Sequence, residues 1–142
     1  MDARDLEEYA AYYLPRLADD EDAYHALIEA DAAILPILVR AFRRECDGKL
    51  RAKILEVMWQ HRDPSIIPVL AEALQDPSPR VWKEAFDGLV TLDRPECIGV
   101  IEGARNRTFE REQDATYFRS FLDEAIDQLR HGFFGEKRQT QE

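Results

Sequence analysis

The sequence predicts an all-α fold in which antiparallel helix pairs stack on one another as an α-solenoid. The first observation is a repeat of 31–32 residues, whose copies begin at residues 32, 64 and 95. The second is register, since apolar residues recur at matching positions of each copy, as Ile34, Ile66 and Cys97 do. The third is that no run alternates apolar and polar residues as a strand does. Repeats of this length bury a shared core by stacking on their neighbours.

Local signals predict each element in turn. Residues 6–17 form an amphipathic stretch that Pro15 ends or kinks, because an interior proline removes a hydrogen-bond donor. Residues 22–30 form a shorter helix opened by acidic residues, which are favourable at a helix N-terminus. Gly132 is expected to end the last helix. The repeats supply first helices near residues 32–45, 64–75 and 95–106, and second helices near 49–61, 79–92 and 114–131.

These elements predict one domain, since 142 residues fit a single core. Residues 1–30 are expected to be N-terminal capping helices, and residues 31–131 three helix-pair repeats. Residues 132–142 are expected to be a flexible polar tail. Phe133 and Phe134 are expected to fold back on the last helix.

The second repeat resembles a known family. The segment Asp63–Leu70, which reads DPSIIPVL, and the pair Asp76–Pro77 followed by Val81 are similar to HEAT repeats. The similarity is to the short bacterial HEAT-like type, which includes the PBS-lyase HEAT-like repeats. It covers residues 32–105 well and the last helix loosely. The resemblance implies a right-handed superhelical stack, and it says little about function.

One departure from the family pattern concerns the polar ladder between repeats. In the family, an arginine after the helix-opening valine pairs with an acid in the preceding turn. The first unit keeps Glu45 and Arg51, whereas the second has Asp76 and Trp82. We therefore expect the ladder to be incomplete at the second unit. Trp82 falls on the apolar arc of its helix, so we expect it to pack between repeats.

Charge and composition restrict the partner and the location. The net charge is −10, and residues 1–31 hold ten acidic residues against two arginines. This charge would repel phosphates, so it disfavours nucleic acid as a partner and favours a basic protein surface. The alternative is that the charge only maintains solubility. No apolar run is long enough to span a membrane. The acidic N-terminal residues do not resemble a signal peptide, and Cys46 and Cys97 suggest no disulfide framework, so a cytoplasmic location is expected.

The residue types that support chemistry are dispersed. His25, His61 and His131 do not have the spacing of metal ligands, and no serine or cysteine has a motif that would activate it. We therefore predict that the chain is not an enzyme, with no catalytic residue, no metal site and no cofactor. Cys97 is expected to be a small buried hydrophobe.

Aligning the second helices on the repeat predicts a binding surface. The column Glu56, Asp87 and Asp123 is acidic in all three units. A neighbouring column contains Gln60 and Asp127, and Trp59 lies at the margin. Aromatic anchors dominate many interfaces, so these six residues are predicted to contact a partner. The alternative is a solvated face with Trp59 packed against an adjacent helix.

The favoured function is a non-catalytic protein-binding module that presents this acidic face to a basic partner. One concrete form is an immunity- or antitoxin-like inhibitor that covers the basic active site of a nuclease toxin. The alternatives are a HEAT-like nucleic-acid-binding or DNA-repair protein, and an accessory subunit of an enzyme, including a chaperone of the kind found with bilin attachment. The basic segment Arg40–Lys53 and the two tryptophans favour the nucleic-acid alternative, whereas the acidic column opposes it.

Overall fold

The structure is a computed structural model that describes residues 1–132. Within these residues the chain forms eight α-helices and no strand, which confirms the all-α class. The helices are α1 (Ala3–Tyr13), α2 (Glu21–Glu29), α3 (Leu35–Arg44), α4 (Gly48–Gln60), α5 (Ile67–Ala73), α6 (Pro79–Leu92), α7 (Pro95–Glu102) and α8 (Glu112–His131). Gly132 ends α8 with a φ of 74°. The rest of the predicted tail, with Phe133 and Phe134, lies outside the described residues.

The first helices of the first two repeats begin in the same way. Asp31 accepts a hydrogen bond from the backbone N–H of Ala33 at 2.8 Å, and Asp63 accepts one from Ser65 at 2.9 Å. Each aspartate opens a 3₁₀ turn that continues into α3 or α5, whose second residue is proline. Proline is tolerated there because the first N–H groups of a helix have no intrahelical partner. The sequence repeat is therefore also a repeat of backbone conformation.

The N-terminal helices also follow the prediction. Helix α1 ends at Tyr13, and Pro15 lies in the 3₁₀ turn Leu14–Arg16 that follows it. The carboxylate of Asp20 accepts the backbone N–H of Asp22 at 2.8 Å and caps α2. An acidic N-cap satisfies an N–H group that has no other partner and interacts favourably with the helix dipole.

The second helices contact one another in chain order. Helix α2 packs on α4, α4 packs extensively on α6, and α6 packs on α8. Each also contacts the first helix of its own pair, so that α3 packs with α4, α5 with α6 and α7 with α8. Side chains on α4, α6 and α8 are thereby brought next to each other from distant parts of the sequence.

The residues that recur in register form the core between these helices. They are fully or almost fully buried, and Cys97 has no exposed surface, as predicted. Burial also raises the pKa of the Cys97 thiol. The recurrent buried positions are Ile34, Ile66, Cys97, Leu38, Leu70 and Ile101.

Trp82 packs between α6 and α8, which confirms its predicted role. Its side chain is 2% exposed and makes edge-to-face contacts with Tyr117, Phe118 and Phe121 of α8. The closest ring centroids, those of Trp82 and Phe118, are 5.0 Å apart. Aromatic pairs of this geometry stabilise the packing beyond the area that they bury.

The polar ladder between repeats is kept in part. Arg51 of the first unit approaches Asp76 of the second, with 3.4 Å between Nη2 and Oδ1, and the Asp76 side chain is only 5% exposed. Arg51 also donates to the backbone carbonyl of Glu45 rather than to its carboxylate. Between the second repeat and α8, the aromatic contacts of Trp82 take the place of the ion pair that the family pattern has there.

Helix α7 is shorter than predicted, because the loop after it turns back to the second repeat. The helix ends at Glu102, and Arg107 donates hydrogen bonds to the carbonyls of Leu74 and Asp76 at 2.6 and 2.9 Å. A guanidinium holds two carbonyls in a fixed geometry through its planar set of donors. This contact anchors the loop that precedes α8.

Candidate functional site: an acidic face

The predicted contact residues lie on three neighbouring helices. Helix α4 carries those at its C-terminal end, which are half-buried, while α6 and α8 carry the aspartates, which are exposed. The half-buried residues are Glu56, Trp59 and Gln60, and the exposed residues are Asp87, Asp123 and Asp127.

Glu56 is held in place by residues on α2 and α4. The Tyr24 hydroxyl donates a hydrogen bond to Glu56 Oε2. Lys53 Nζ lies 3.9 Å from Glu56 Oε1 and 4.2 Å from the centre of the Tyr24 ring. Burial, together with the bond to Glu56, raises the pKa of Tyr24, and a contact with the Gln60 side chain opposes that rise. The Glu56 carboxylate therefore has a fixed position, with 26% of its side chain exposed.

Trp59 packs against α6 and is fixed there by two contacts. Its indole Nε1–H donates to Glu84 Oε1 at 2.7 Å. The edge of the ring lies over Gly88, where an added Cβ would be 2.9 Å from Trp59 Cδ1. Only glycine allows the ring to approach the helix backbone this closely. Trp59 thus forms part of the floor of the acidic face rather than projecting from it.

Two carboxyl groups near Trp59, those of Glu84 and Asp87, have raised pKa values. Burial, together with the charges of Glu56 and Asp87, raises the pKa of Glu84 to about 7, although the hydrogen bond from Trp59 and the charge of Lys53 act in the opposite direction. The pKa of Asp87 is also raised, by desolvation and by the charges of Glu56 and Glu124. Burial and like charge both disfavour the ionised form of a carboxyl group. We call Glu56, Glu84, Asp87 and Glu124 the acidic cluster.

Sequence reasoning did not assign two members of this cluster to the binding surface. Glu84 precedes Asp87 by three residues on α6, and side chains at that spacing share a helix face. No signal in the repeat distinguishes Glu124 from its neighbour Asp123, because the loop before α8 breaks the period.

The two aspartates of α8 that were predicted to contact a partner have cationic neighbours. Asp123 Oδ1 lies 2.9 Å from Arg105 Nη1, and Arg105 also binds Glu102 at 2.7 Å. Asp127 lies 3.6 Å from His131 Nε2, a contact that is ionic only when the histidine is protonated. Both aspartates are more than half exposed, at 63% and 71%. Asp123 thus carries a charge that Arg105 partly balances.

The histidines do not form a metal centre in the part of the chain that the structure describes. Within residues 1–132, no group of three or more His, Cys, Asp and Glu side chains has the proximity needed to hold a metal ion. His61 Nε2 lies 2.9 Å from the carbonyl oxygen of Leu27, and this contact links α2 to the end of α4.

The comparisons with known proteins identify the family. The family described as HEAT repeats matches residues 35–116, which is more than half of the chain. The chain belongs to the HEAT repeat family. The match begins at α3 and ends in the first turn of α8, so α1 and α2 lie outside it. Neither a curated protein nor a solved structure matches the chain.

Membership of the HEAT repeat family fits a binding role, because HEAT repeats generally mediate protein–protein interaction. Among the helices of residues 1–132, none combines the length and apolar character that crossing a membrane requires.

Proposed function

We propose that this HEAT repeat protein is a non-catalytic protein-binding module whose acidic face receives a basic partner. The proposed architecture is one domain of antiparallel helix pairs in a right-handed solenoid. In it, residues 1–30 form the cap and residues 31–131 the three repeats. The proposed contact residues are those predicted from the repeat, extended by two members of the acidic cluster. They are Glu56, Trp59, Gln60, Asp87, Asp123 and Asp127, together with Glu84 and Glu124.

The observation that carries the proposal is the mutual repulsion within the acidic cluster. The raised pKa values of Glu84 and Asp87 reflect burial first and then the charges of neighbouring carboxylates, and both causes disfavour the ionised groups in the folded chain. Among the groups that shift the pKa of Glu84, Lys53 supplies a positive charge that opposes the rise. A cationic surface placed over the cluster would relieve this repulsion and would also accelerate association.

The basic segment Arg40–Lys53 supports a protein partner better than nucleic acid. Three of its four arginines are engaged with carboxylates elsewhere in the fold: Arg40 binds Glu7, Arg43 binds Glu72 at 2.9 Å, and Arg51 pairs with Asp76. Cations that are already paired have less to gain from a phosphate, because binding must first break the existing ion pairs. The segment therefore offers little of the uncompensated positive charge that a nucleic-acid groove needs.

The proposed role is that of an immunity- or antitoxin-like inhibitor, whose partner has a basic active-site surface. A small acidic module of this kind would block such a surface by electrostatic complementarity. The proposed location is the cytoplasm, based on cysteines that suggest no disulfide framework.

The test is binding to basic probes across a salt series. The pair Glu56→Lys and Asp87→Lys should weaken binding to an oligolysine peptide and to purified basic nucleases by about tenfold or more, which is about 1.4 kcal/mol. A matched control, Glu8→Lys with Glu110→Lys, makes the same change in net charge away from the cluster. Both of these glutamates are exposed. Equal losses in the two double variants, or affinity that does not change with salt, would contradict the proposal.

A further inference from the structure

A cavity adjoins the acidic cluster and shares Glu56 with it. It has a volume of about 470 Å³ and lies between the connection from α1 to α2, helix α2 itself and α4. Its acidic lining comprises Asp19, Asp20, Glu21 and Glu56. Tyr24 supplies an aromatic wall, and Lys53 the only lysine or arginine among the lining residues.

The charge on the walls of the cavity is not balanced. Asp19 and Glu21 are exposed, and no ion pair found within residues 1–132 involves either of them. Asp20 accepts only a backbone N–H, that of Asp22. The lining residues thus comprise four carboxylates against one lysine and one histidine, His25. Such a cavity attracts a further cation and repels anions.

Lys53 itself shows which contacts a cation makes in this cavity. Its ammonium group lies 4.2 Å from the centre of the Tyr24 ring and 3.9 Å from Glu56 Oε1. A cation over an aromatic face is attracted by the ring quadrupole, and the carboxylate adds a Coulombic contribution. The hydrogen bond from the Tyr24 hydroxyl to Glu56 holds ring and carboxylate in one arrangement. This is a preformed site for an ammonium or guanidinium group.

The hold of the site on Lys53 is weak. The lysine side chain is 39% exposed, and it is linked to Glu56 as an i, i+3 pair on one helix. Pairs of this kind contribute little to stability and exchange easily. A cationic side chain from outside can therefore take the place of Lys53 without disturbing the fold.

We propose that this cavity binds a lysine or arginine side chain of the basic partner, and that Lys53 occupies the site in the free protein. The inference rests on the proposed function, because the cavity extends the acidic face toward α2 through Glu56. The partner would place one cationic side chain over Tyr24 and others over the acidic cluster. Lys53 acts as an internal competitor that the partner must displace.

The first test compares two lysine substitutions on α4. Lys53→Met removes the competitor, and Lys49→Met removes the same charge from an exposed position outside the cavity. We expect Lys53→Met to tighten binding of oligolysine and oligoarginine peptides several-fold, and Lys49→Met to do so by less than about twofold. Equal effects of the two substitutions would show a general charge effect and would overturn the proposal. The two peptides show whether the site favours an ammonium or a guanidinium group.

The second test observes the site directly. In an NMR titration of the full chain with oligolysine, the ring resonances of Tyr24 should shift, and Tyr24→Leu should weaken binding more than Tyr24→Phe, which keeps the ring but loses the hydrogen bond to Glu56. Tyr24 resonances that do not move during binding would overturn the proposal.

A variant pair outside the cavity, Asp87→Lys with Glu124→Lys, separates the two proposals. If this pair weakens peptide binding but the cavity variants do not, the proposal that the acidic face binds the partner is supported and the proposal for the cavity is wrong. If only the cavity variants change peptide binding, the proposal that the acidic face binds the partner is wrong. If oligolysine does not bind the native chain at all, both are wrong.

Discussion

Adding one methyl group at Gly88 tests whether Trp59 is fixed as the structure indicates. A Cβ at this position would lie 2.9 Å from Trp59 Cδ1, 3.0 Å from Cγ of the same ring and 3.1 Å from Leu70 Cδ2. The leucine methyl can rotate away, but the indole is rigid, and its Nε1 is held by Glu84 at 2.7 Å. Gly88→Ala must therefore move the ring, strain the backbone of α6, or break the Trp59–Glu84 bond.

The expected magnitude follows from two opposing contributions. Overpacking of a well-packed site typically costs 1–3 kcal/mol. Alanine is better than glycine in a helix interior by about 0.5–1 kcal/mol, which offsets part of that cost. Gly88→Ala should therefore lower the free energy of unfolding by about 0.5–2 kcal/mol.

Gly99 provides a matched control on α7. Its added Cβ would meet no atom within 4 Å, so Gly99→Ala should gain only the helix propensity and stabilise the chain by about 0.5–1 kcal/mol. Urea denaturation of both variants measures the difference, and thermal unfolding should show about 3 °C for each kcal/mol. Tryptophan fluorescence should change in Gly88→Ala and not in Gly99→Ala. Equal stability of the two variants, with unchanged fluorescence, would refute the placement of Trp59 against Gly88.

Three further predictions concern charge and burial. The pKa of Glu84 is about 7 in the folded chain and about 4.3 in the unfolded chain. Its contribution to stability is therefore full at low pH and is lost as the pH rises through 7. The urea midpoints measured at about pH 5 and about pH 8 should differ less in Glu84→Gln than in the native chain. Arg51→Met removes the ion-pair partner of the buried Asp76 carboxylate, on which the charge of Arg107 then still acts, and should cost about 3 kcal/mol in chemical denaturation. Arg43→Met, whose ion pair is exposed, should cost less than about 1 kcal/mol. Cys46 is exposed and Cys97 is buried, so under native conditions iodoacetamide should label only Cys46 in a mass-spectrometric assay, and labelling of Cys97 without denaturant would contradict the core assignment.

The repeat in the sequence predicted the helices because each copy carries its own local signals. Asp31 and Asp63 open equivalent turns, and the apolar residues that recur at a fixed period face the same core. These signals act over a few residues, so one sequence is enough to read them. The bounds failed mainly at the end of α7, where a distant contact between Arg107 and carbonyls of the second repeat shortens the helix.

The composition of the acidic cluster could not be predicted in the same way, because it depends on the rotation of α8. Successive residues on a helix differ by about 100° in direction, so an alignment error of one residue moves a side chain to another face. The repeat aligned Asp123 with Asp87, whereas the charge of α8 that raises the pKa of Asp87 is that of Glu124. The rotation is set by the packing of Trp82 against α8 and by the bond from Arg105 to Asp123. Neither contact falls within the period of the repeat.

The packing of the two tryptophans indicates how the acidic face would bind a partner. Trp82 is buried against α8, and Trp59 is packed on Gly88 with its indole N–H donated to Glu84. Neither ring projects as an anchor that could fill a pocket on a partner, which is the usual source of large binding energies at interfaces. The acidic face instead offers fixed carboxylates, whose positions Tyr24 and Trp59 maintain. Affinity at such a surface depends mainly on the partner's own cations, so association should be fast at low salt and should slow steeply as salt screens the charges.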